Sequence, residues 1–248
     1  MDIGRIGRGE LFRGCNGQTS ERRYGPAIFE EAGREVEASE EANQQPRSEL
    51  RSKKGARDRL IRICESRSDW MLTWEDECWF SRFAQPTMNA WTTDSKPLAL
   101  LQQDKSKDDL EPKAVACFGA LDHESGKVHL RFSNGQPNST YTLDFIEYLL
   151  SVAKKRRKRV LVVIWDKATW HKSEQVRTWV KAYNQNAKLN GGVRLLTWLL
   201  PTKSPWLNPQ EPHWMHCKRH VVEPNGILTQ RQLKERVRDY FDSDAPID

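Results

Sequence analysis

RVLVVIWD, residues 159–166, is an unbroken β-branched and aromatic run that ends on a carboxylate. Apolar side chains on both sides of the pleat are the pattern of a strand covered on both faces. Upstream, TLDFIEYLLSVAKKRRK (142–158) repeats Leu143, Ile146, Leu150 and Ala153 at three- and four-residue spacing. That spacing predicts a helix, with Ser139 or Thr140 as its cap. Downstream, a second helix is expected over about 172–189, and VRLLTWLL (193–200) reads as a second buried strand.

Further upstream, AVACFGALD (114–122) and KVHLRFSN (127–134) are β-rich runs separated by His-Glu-Ser-Gly, which predicts an antiparallel hairpin. MLTWEDECWF (71–80) supplies an earlier strand, followed by a turn and irregular sequence. Three antiparallel strands leading into parallel βαβ crossovers predict an α/β fold: a mixed sheet with helices on its faces. Residues 1–68 are rich in Arg, Glu, Gly, Ser and Gln and read as poorly structured. The exception is a short helix near 52–64, where Leu60, Ile61 and Cys64 form a small apolar face. Residues 69–248 make the main domain.

No apolar run approaches the length of roughly 20 residues that spans a bilayer, and the amino terminus lacks the apolar core of a secretory signal. The expected location is cytoplasmic, with no membrane partner. Five scattered cysteines without close pairs argue for reduced thiols. Net charge is +6, yet residues 151–220 hold 15 Lys and Arg against 3 Asp and Glu, so the remainder is net acidic. Segregated positive charge suits a surface that approaches a polyanion, because neutralising phosphates releases their counterions.

Three carboxylates fall where such a sheet presents them: Asp76 in the first strand, Asp166 at the carboxyl end of the 160–165 strand, and Glu211 at a helix start. Ligand sites of open α/β sheets collect at strand carboxyl ends. In SPWLNPQEPHW (204–214), Asn208 is suited to cap a helix with Pro209 at its first position and Glu211 at its third. Each residue also has an ordinary structural reading. Glu211 fits a capping-box variant, Asp76 a half-exposed strand carboxylate, and Asp166 a turn cap. A convergence of all three makes an anionic cluster that is costly unless cations neutralise it, and hard oxygen ligands select magnesium or manganese.

DECWF (76–80), VLVVIWDKATWHKS (160–173) and LPTKSPWLNPQEPHWMHCKRHV (200–221) resemble the three signatures of the DDE superfamily endonucleases, insertion-sequence transposases of bacteria related to mariner elements. Matching motif positions places the family's catalytic and metal-binding carboxylates at Asp76, Asp166 and Glu211. The resemblance covers about residues 70–242. It implies an RNase H-like fold, two Mg2+ or Mn2+ ions, and no organic cofactor. The implied activity is cleavage of phosphodiester bonds at transposon ends, with transfer of the 3′-hydroxyl into target DNA. Implied partners are DNA ends, target DNA and further copies of the chain; the implied setting is a bacterial or archaeal nucleoid. Other readings are an RNase H-like nuclease acting on branched DNA or hybrids, and a remnant that binds DNA without catalysis.

His171 matches the histidine of the family's second signature; its two readings are a group that orients a phosphate, a water or a carboxylate, and an ordinary helix-capping or packing residue. Lys218 lies seven residues after Glu211 and therefore on the same helix face, a position for a phosphate contact. Lys154, Lys155, Arg156 and Arg157 open a basic run that closes the first helix and offers a DNA-backbone contact. Trp206 stands just before Glu211 as a base-stacking candidate, with Trp91 as another. His213, His216, Cys217 and His220 lack the paired spacing of a zinc site. Two departures from the family are expected: residues 1–68 show no helix-turn-helix pair, and 45 residues separate Asp166 from Glu211, more than is usual. The excess is assigned to a loop over NQNAKLNGG (184–192).

Overall fold

The computed structural model describes residues 47–83, 89–91, 97–99, 106–201, 204–221, 223 and 226–247. Helix α1 (Arg47–Glu65) leads into the long strand β1 (Trp70–Ser81). Strands β2 (Asn89–Trp91) and β3 (Pro97–Ala99) form a small antiparallel pair in the stretch expected to be irregular. The main chain then runs through β4 (Ala114–Asp122), β5 (Val128–Ser133), α2 (Ser139–Lys155), β6 (Val160–Trp165), α3 (Glu174–Asn190) and β7 (Arg194–Leu199). A short 3-10 turn (Pro205–Leu207), α4 (Gln210–Val221) and α5 (Gln230–Tyr240) complete it.

The main sheet has the order β5-β4-β1-β6-β7. β1 pairs antiparallel with β4 and parallel with β6, and β6 pairs parallel with β7, so the predicted mixed sheet is present. The hairpin between β4 and β5 closes where expected, with Asp122 Oδ1 accepting from the Glu124 and Ser125 amides and Gly126 at φ 69°. That positive φ is one glycine adopts without steric cost.

Strand alternation divides the core in two. One face of the sheet presents Leu72, Trp74, Cys78, Phe80, Cys117 and Ile164 to α1, α4 and α5. The other presents Met71, Phe118, Ala120, Leu161, Val163 and Trp165 to α2 and α3. Each fully buried Phe or Leu side chain contributes about 1.5–3 kcal/mol relative to exposure. Cys64 of α1 is buried against the first face with Leu60 and Ile61 packed beside it, the three residues expected to do so. The helix is longer than the expected 52–64, while residues 1–46 of the expected unstructured segment lie outside the described residues. The cysteines Cys64, Cys78, Cys117 and Cys217 are buried free thiols.

Three local expectations are corrected. The cap of α2 is Asn138, whose side chain accepts from the Thr140 and Tyr141 amides, because Ser139 is already helical and bonds Ser173 Oγ instead. NQNAKLN (184–190) is the last part of α3, not a loop; Asn184 bonds both the amide and the carbonyl of Leu195 and ties this helical end to β7. Among the described residues β7 is an edge strand with a neighbour on one side only, and Leu196 and Leu199 are 39% and 38% exposed rather than buried.

Candidate active site

The site begins with strand register. β1 and β6 are adjacent and parallel, with Trp74 opposite Ile164. Two residues further along each chain come Asp76, still within β1, and Asp166, the first residue past the end of β6. The third carboxylate is delivered by α4. Asn208 Oδ1 accepts from the Gln210 amide at 3.1 Å while its Nδ2 donates to the Glu75 carbonyl at 2.9 Å. One side chain therefore caps the helix and ties its first turn to β1 beside Asp76. Asp76, Asp166 and Glu211 line one cleft of about 240 Å³, together with Lys167, Ser204 and Asn208. The ordinary capping reading of Glu211 is not what its surroundings show, since the cap is made by Asn208 and Glu211 faces the other two acids.

These carboxylates are not equivalent. Burial, followed by repulsion from Glu211, Glu77 and Asp166, pushes Asp76 up to about 8. Burial also raises Glu211, with Lys218 opposing and Asp166 reinforcing the shift. Asp166 is held below the ordinary carboxylate range: against the cost of burial, it accepts from His171 and from the Ala168 amide at 2.8 Å. The cleft thus pairs one readily ionised acid with two that resist ionisation beside it, the situation a bound divalent cation relieves.

Asp76 has a further partner. Trp214 of α4 donates its Nε1 proton to Asp76 Oδ2 at 3.1 Å. Its ring crosses β4 at Gly119, the residue paired with Asp76, and a Cβ at 119 would meet ring carbons at 2.3 and 2.4 Å. Phe80 and Phe241 hold the ring edge-on at 5.8 and 5.6 Å. The contact of Trp214 with Asp76 and the role of Gly119 were not read from sequence.

On the opposite side of β1, Glu75 and Glu77 face His171. The imidazole is buried and stacked on Trp165 at 4.6 Å and 7°. Its Nδ1 lies 2.9 Å from Asp166 Oδ1, and its Nε2 lies 3.3 Å from Glu75 Oε2 and 3.2 Å from Glu77 Oε1. Trp170 Nε1 also donates to Glu77. Despite the cost of burial, Glu75, Asp166 and Glu77 together raise His171 to about 11, so the ring is this cluster's own cation. Glu75, Glu77 and His171 are the one group of metal-type donors within 4.8 Å of each other among the described residues. Both Glu75 oxygens are buried and out of line for a hydrogen bond, and its pKa is raised well above normal, chiefly by burial and then by Glu77.

The remaining candidates separate. Lys218 is half-buried beside Glu211 and Cys78. Lys154, Lys155, Arg156 and Arg157 lie at the opposite end of β6, one strand length of about 20 Å from Asp166. Within that run Arg156 is engaged by Asp122 and Glu124, and Lys158 by Glu124 and the Ser68 carbonyl. The Trp206 ring packs against the first-face core, which leaves it less free to stack on a base. Trp91's side chain lies outside the described residues. Cys217 is sealed in the core, apart from a zinc-like cluster with the nearby histidines.

The pH dependence of stability follows from these shifts. Asp76 is raised from 3.8 to about 8, so its contribution is complete below 3.8 and is lost as pH rises through about 8. His171 is raised from 6.5 to about 11, so its contribution is complete below 6.5 and is lost as pH rises toward about 11. Asp166 is lowered and acts oppositely, but only below its ordinary 3.8. Metal-free protein is therefore expected to have a lower denaturant midpoint at about pH 9 than at about pH 6, and added Mn2+ to narrow the gap. A midpoint that stays flat or rises over that interval would contradict these assignments.

Residues 71–234 match the DDE superfamily endonuclease family. No curated protein matches the chain. Among solved structures, the fold is similar to the Mos1 strand transfer complex, at 16% identity and TM-score 0.52, covering 81% of this chain and 56% of that one. It is likewise similar to the Mos1 mariner paired end complex with Mn, at 16% identity and TM-score 0.54, covering 81% and 56%. The mariner Mos1 paired end complex with Mg gives 16% identity, TM-score 0.51, and 80% and 56% coverage. At this identity the likeness establishes an RNase H-like fold, and the chain spans little more than half the length of these proteins. With most of its length matched to the family, from the start of β1 into α5, the chain belongs to the DDE superfamily endonucleases.

Proposed function

We propose that this chain is the catalytic core of a DNA transposase, which cuts phosphodiester bonds at transposon ends and joins the freed 3′-hydroxyl to target DNA. The observation that carries this reading is the meeting of Asp76, Asp166 and Glu211 in one cleft from two adjacent strands and a helix start. The donor set fits hard divalent cations, being all carboxylate oxygen and mutually repulsive without one. Asp76, Asp166 and Glu211 would together hold two Mg2+ or Mn2+ ions. When bound, such ions activate a water or a 3′-hydroxyl and stabilise the leaving oxygen.

The chain's own groups do the rest. Asp166 stays ionised through its His171 and Ala168 bonds, Trp214 fixes one Asp76 oxygen, and Asn208 fixes the turn that presents Glu211. Lys218, beside Glu211, neutralises a phosphate oxygen of the bound strand. The catalytic unit is residues 69–248, with α1 packed on it. Transposon ends, target DNA and other copies of the chain are the partners, and a bacterial or archaeal cytoplasm, on the nucleoid, is the setting. Among the described residues, no helix is long and apolar enough to cross a membrane.

The test is strand cleavage and strand transfer by the full chain on element-end, branched and hybrid substrates, stripped of metal and then given Mg2+ or Mn2+. Metal-dependent cutting at element ends with joining of the 3′ end is expected. DNA binding without cutting in either metal would instead identify a remnant, and preference for branched or hybrid substrates another nuclease. Lys218→Ala is expected to weaken binding of all DNA sequences alike and to reduce the salt dependence of affinity by about one phosphate contact. Filter binding across a salt series measures this, and an unchanged slope would remove Lys218 from the interface.

A further inference from the structure

Asp166 is the most precariously placed of the three carboxylates. Its side chain is 56% exposed, β6 has ended one residue earlier, and it heads the loop that leads to α3. What restrains it comes from behind the sheet. His171 returns five residues later with its ring plane fixed by the parallel stack on Trp165 and by the edge of Trp170, at 6.0 Å and 77°. With the plane fixed, Nδ1 faces Asp166 at hydrogen-bond distance, while Nε2 lies within ion-pair distance of Glu75 and Glu77 without a directed hydrogen bond to either.

Glu75 joins this arrangement to the other half of the cleft. Its carboxylate faces His171, while its carbonyl holds Asn208, the cap of the helix that carries Glu211. Asp76, the next residue, is the remaining carboxylate. We propose that His171 is a positioning residue, which locks Asp166 in the cleft by chaining it to the Glu75–Glu77 pair on the rear face of β1. The three carboxylates then share one rigid reference, β1 itself, although they arrive from three elements. This rests on the functional reading above, in which Asp166 binds the metal.

The two amide side chains separate this role from mere core filling. The nitrogen of Asn falls about where Nδ1 lies, so His171→Asn keeps a donor for Asp166; that of Gln falls about where Nε2 lies, so His171→Gln keeps the rear contact and loses Asp166. Mn2+ binding to the full chain is followed by the electron paramagnetic resonance of free Mn2+, alongside thermal melting. His171→Gln is expected to bind about 10–100-fold more weakly than wild type, the usual cost of losing such a supporting contact. His171→Asn is expected to recover most of that loss, even where it melts lower than His171→Gln. Equal loss in both variants in step with melting temperature, or wild-type affinity in His171→Gln, overturns the positioning role alone. A wild-type chain that binds no Mn2+ overturns the metal reading on which it rests.

Discussion

Asp166→Ala is expected to lower metal-dependent strand cleavage by at least about a thousandfold, a barrier increase of about 4 kcal/mol, while the fold survives. Asp166 is the carboxylate held ionised by His171 and the Ala168 amide without a metal ion, so its loss removes the group best prepared to bind one. Stability responds differently. The side chain is more than half exposed, and its removal relieves repulsion on Asp76 and Glu211 while forfeiting the His171 and Ala168 bonds. These opposing effects should leave folding within about 1 kcal/mol of wild type, or about 2–4 °C in melting temperature. Single-turnover cleavage in Mn2+ and a thermal melt of the same preparation check both halves. Cleavage within about tenfold of wild type would remove Asp166 from the chemistry, because a lost metal ligand costs several kcal/mol.

Gly119→Ala should be the most damaging single methyl group in the described part of the chain. Its Cβ would stand 2.3 Å from the Trp214 ring, which has no room to retreat between Phe80 and Phe241. Overpacking of this kind costs about 1–3 kcal/mol, so a melting temperature lower by about 2–12 °C is expected. The displaced ring also withdraws its N–H from Asp76, and cleavage should fall further than the loss of folded protein accounts for. Trp214→Phe separates the two effects, since it keeps an aromatic ring but has no donor. It should melt closer to wild type than Gly119→Ala and still lose activity. Gly119→Ala with an unchanged melting temperature would mean that β4 or the ring yields more easily than this packing implies.

Much of the fold was legible because its strands carry strong local patterns. The β-branched run at 160–165 and the hairpin at 114–133 needed only alternation and a turn to be recognised. β7 misled because VRLLTWLL is as apolar as a buried strand, and only its edge position decides what is covered. The α2 cap was misplaced by one residue because Asn138, Ser139 and Thr140 are all good caps and only backbone geometry chooses between them. In the site, Asp166 and Glu211 announce themselves by a strand end and a helix start. The supporting residues do not. Trp214 reads as core, Gly119 as an ordinary strand residue, and Glu75 and Glu77 as solvated neighbours of Asp76, because their partners lie 93–138 positions away in sequence or across a sheet face.

The Glu-Asp-Glu run of β1 has one more consequence, for evolution and for folding. Three successive acids on a pleated strand place a carboxylate on both sides of the sheet at almost the same height, so chemical identity alone does not distinguish the one that enters the cleft from the two that face His171. Only the pairing of residue 76 with Gly119 does so. A slip of one position against β4 would exchange the cleft-facing acid for one that now faces His171 without changing a single side chain. Selection on this enzyme therefore acts on alignment as much as on composition: a one-residue insertion or deletion in β1 or β4 should be more damaging to catalysis than many substitutions within them.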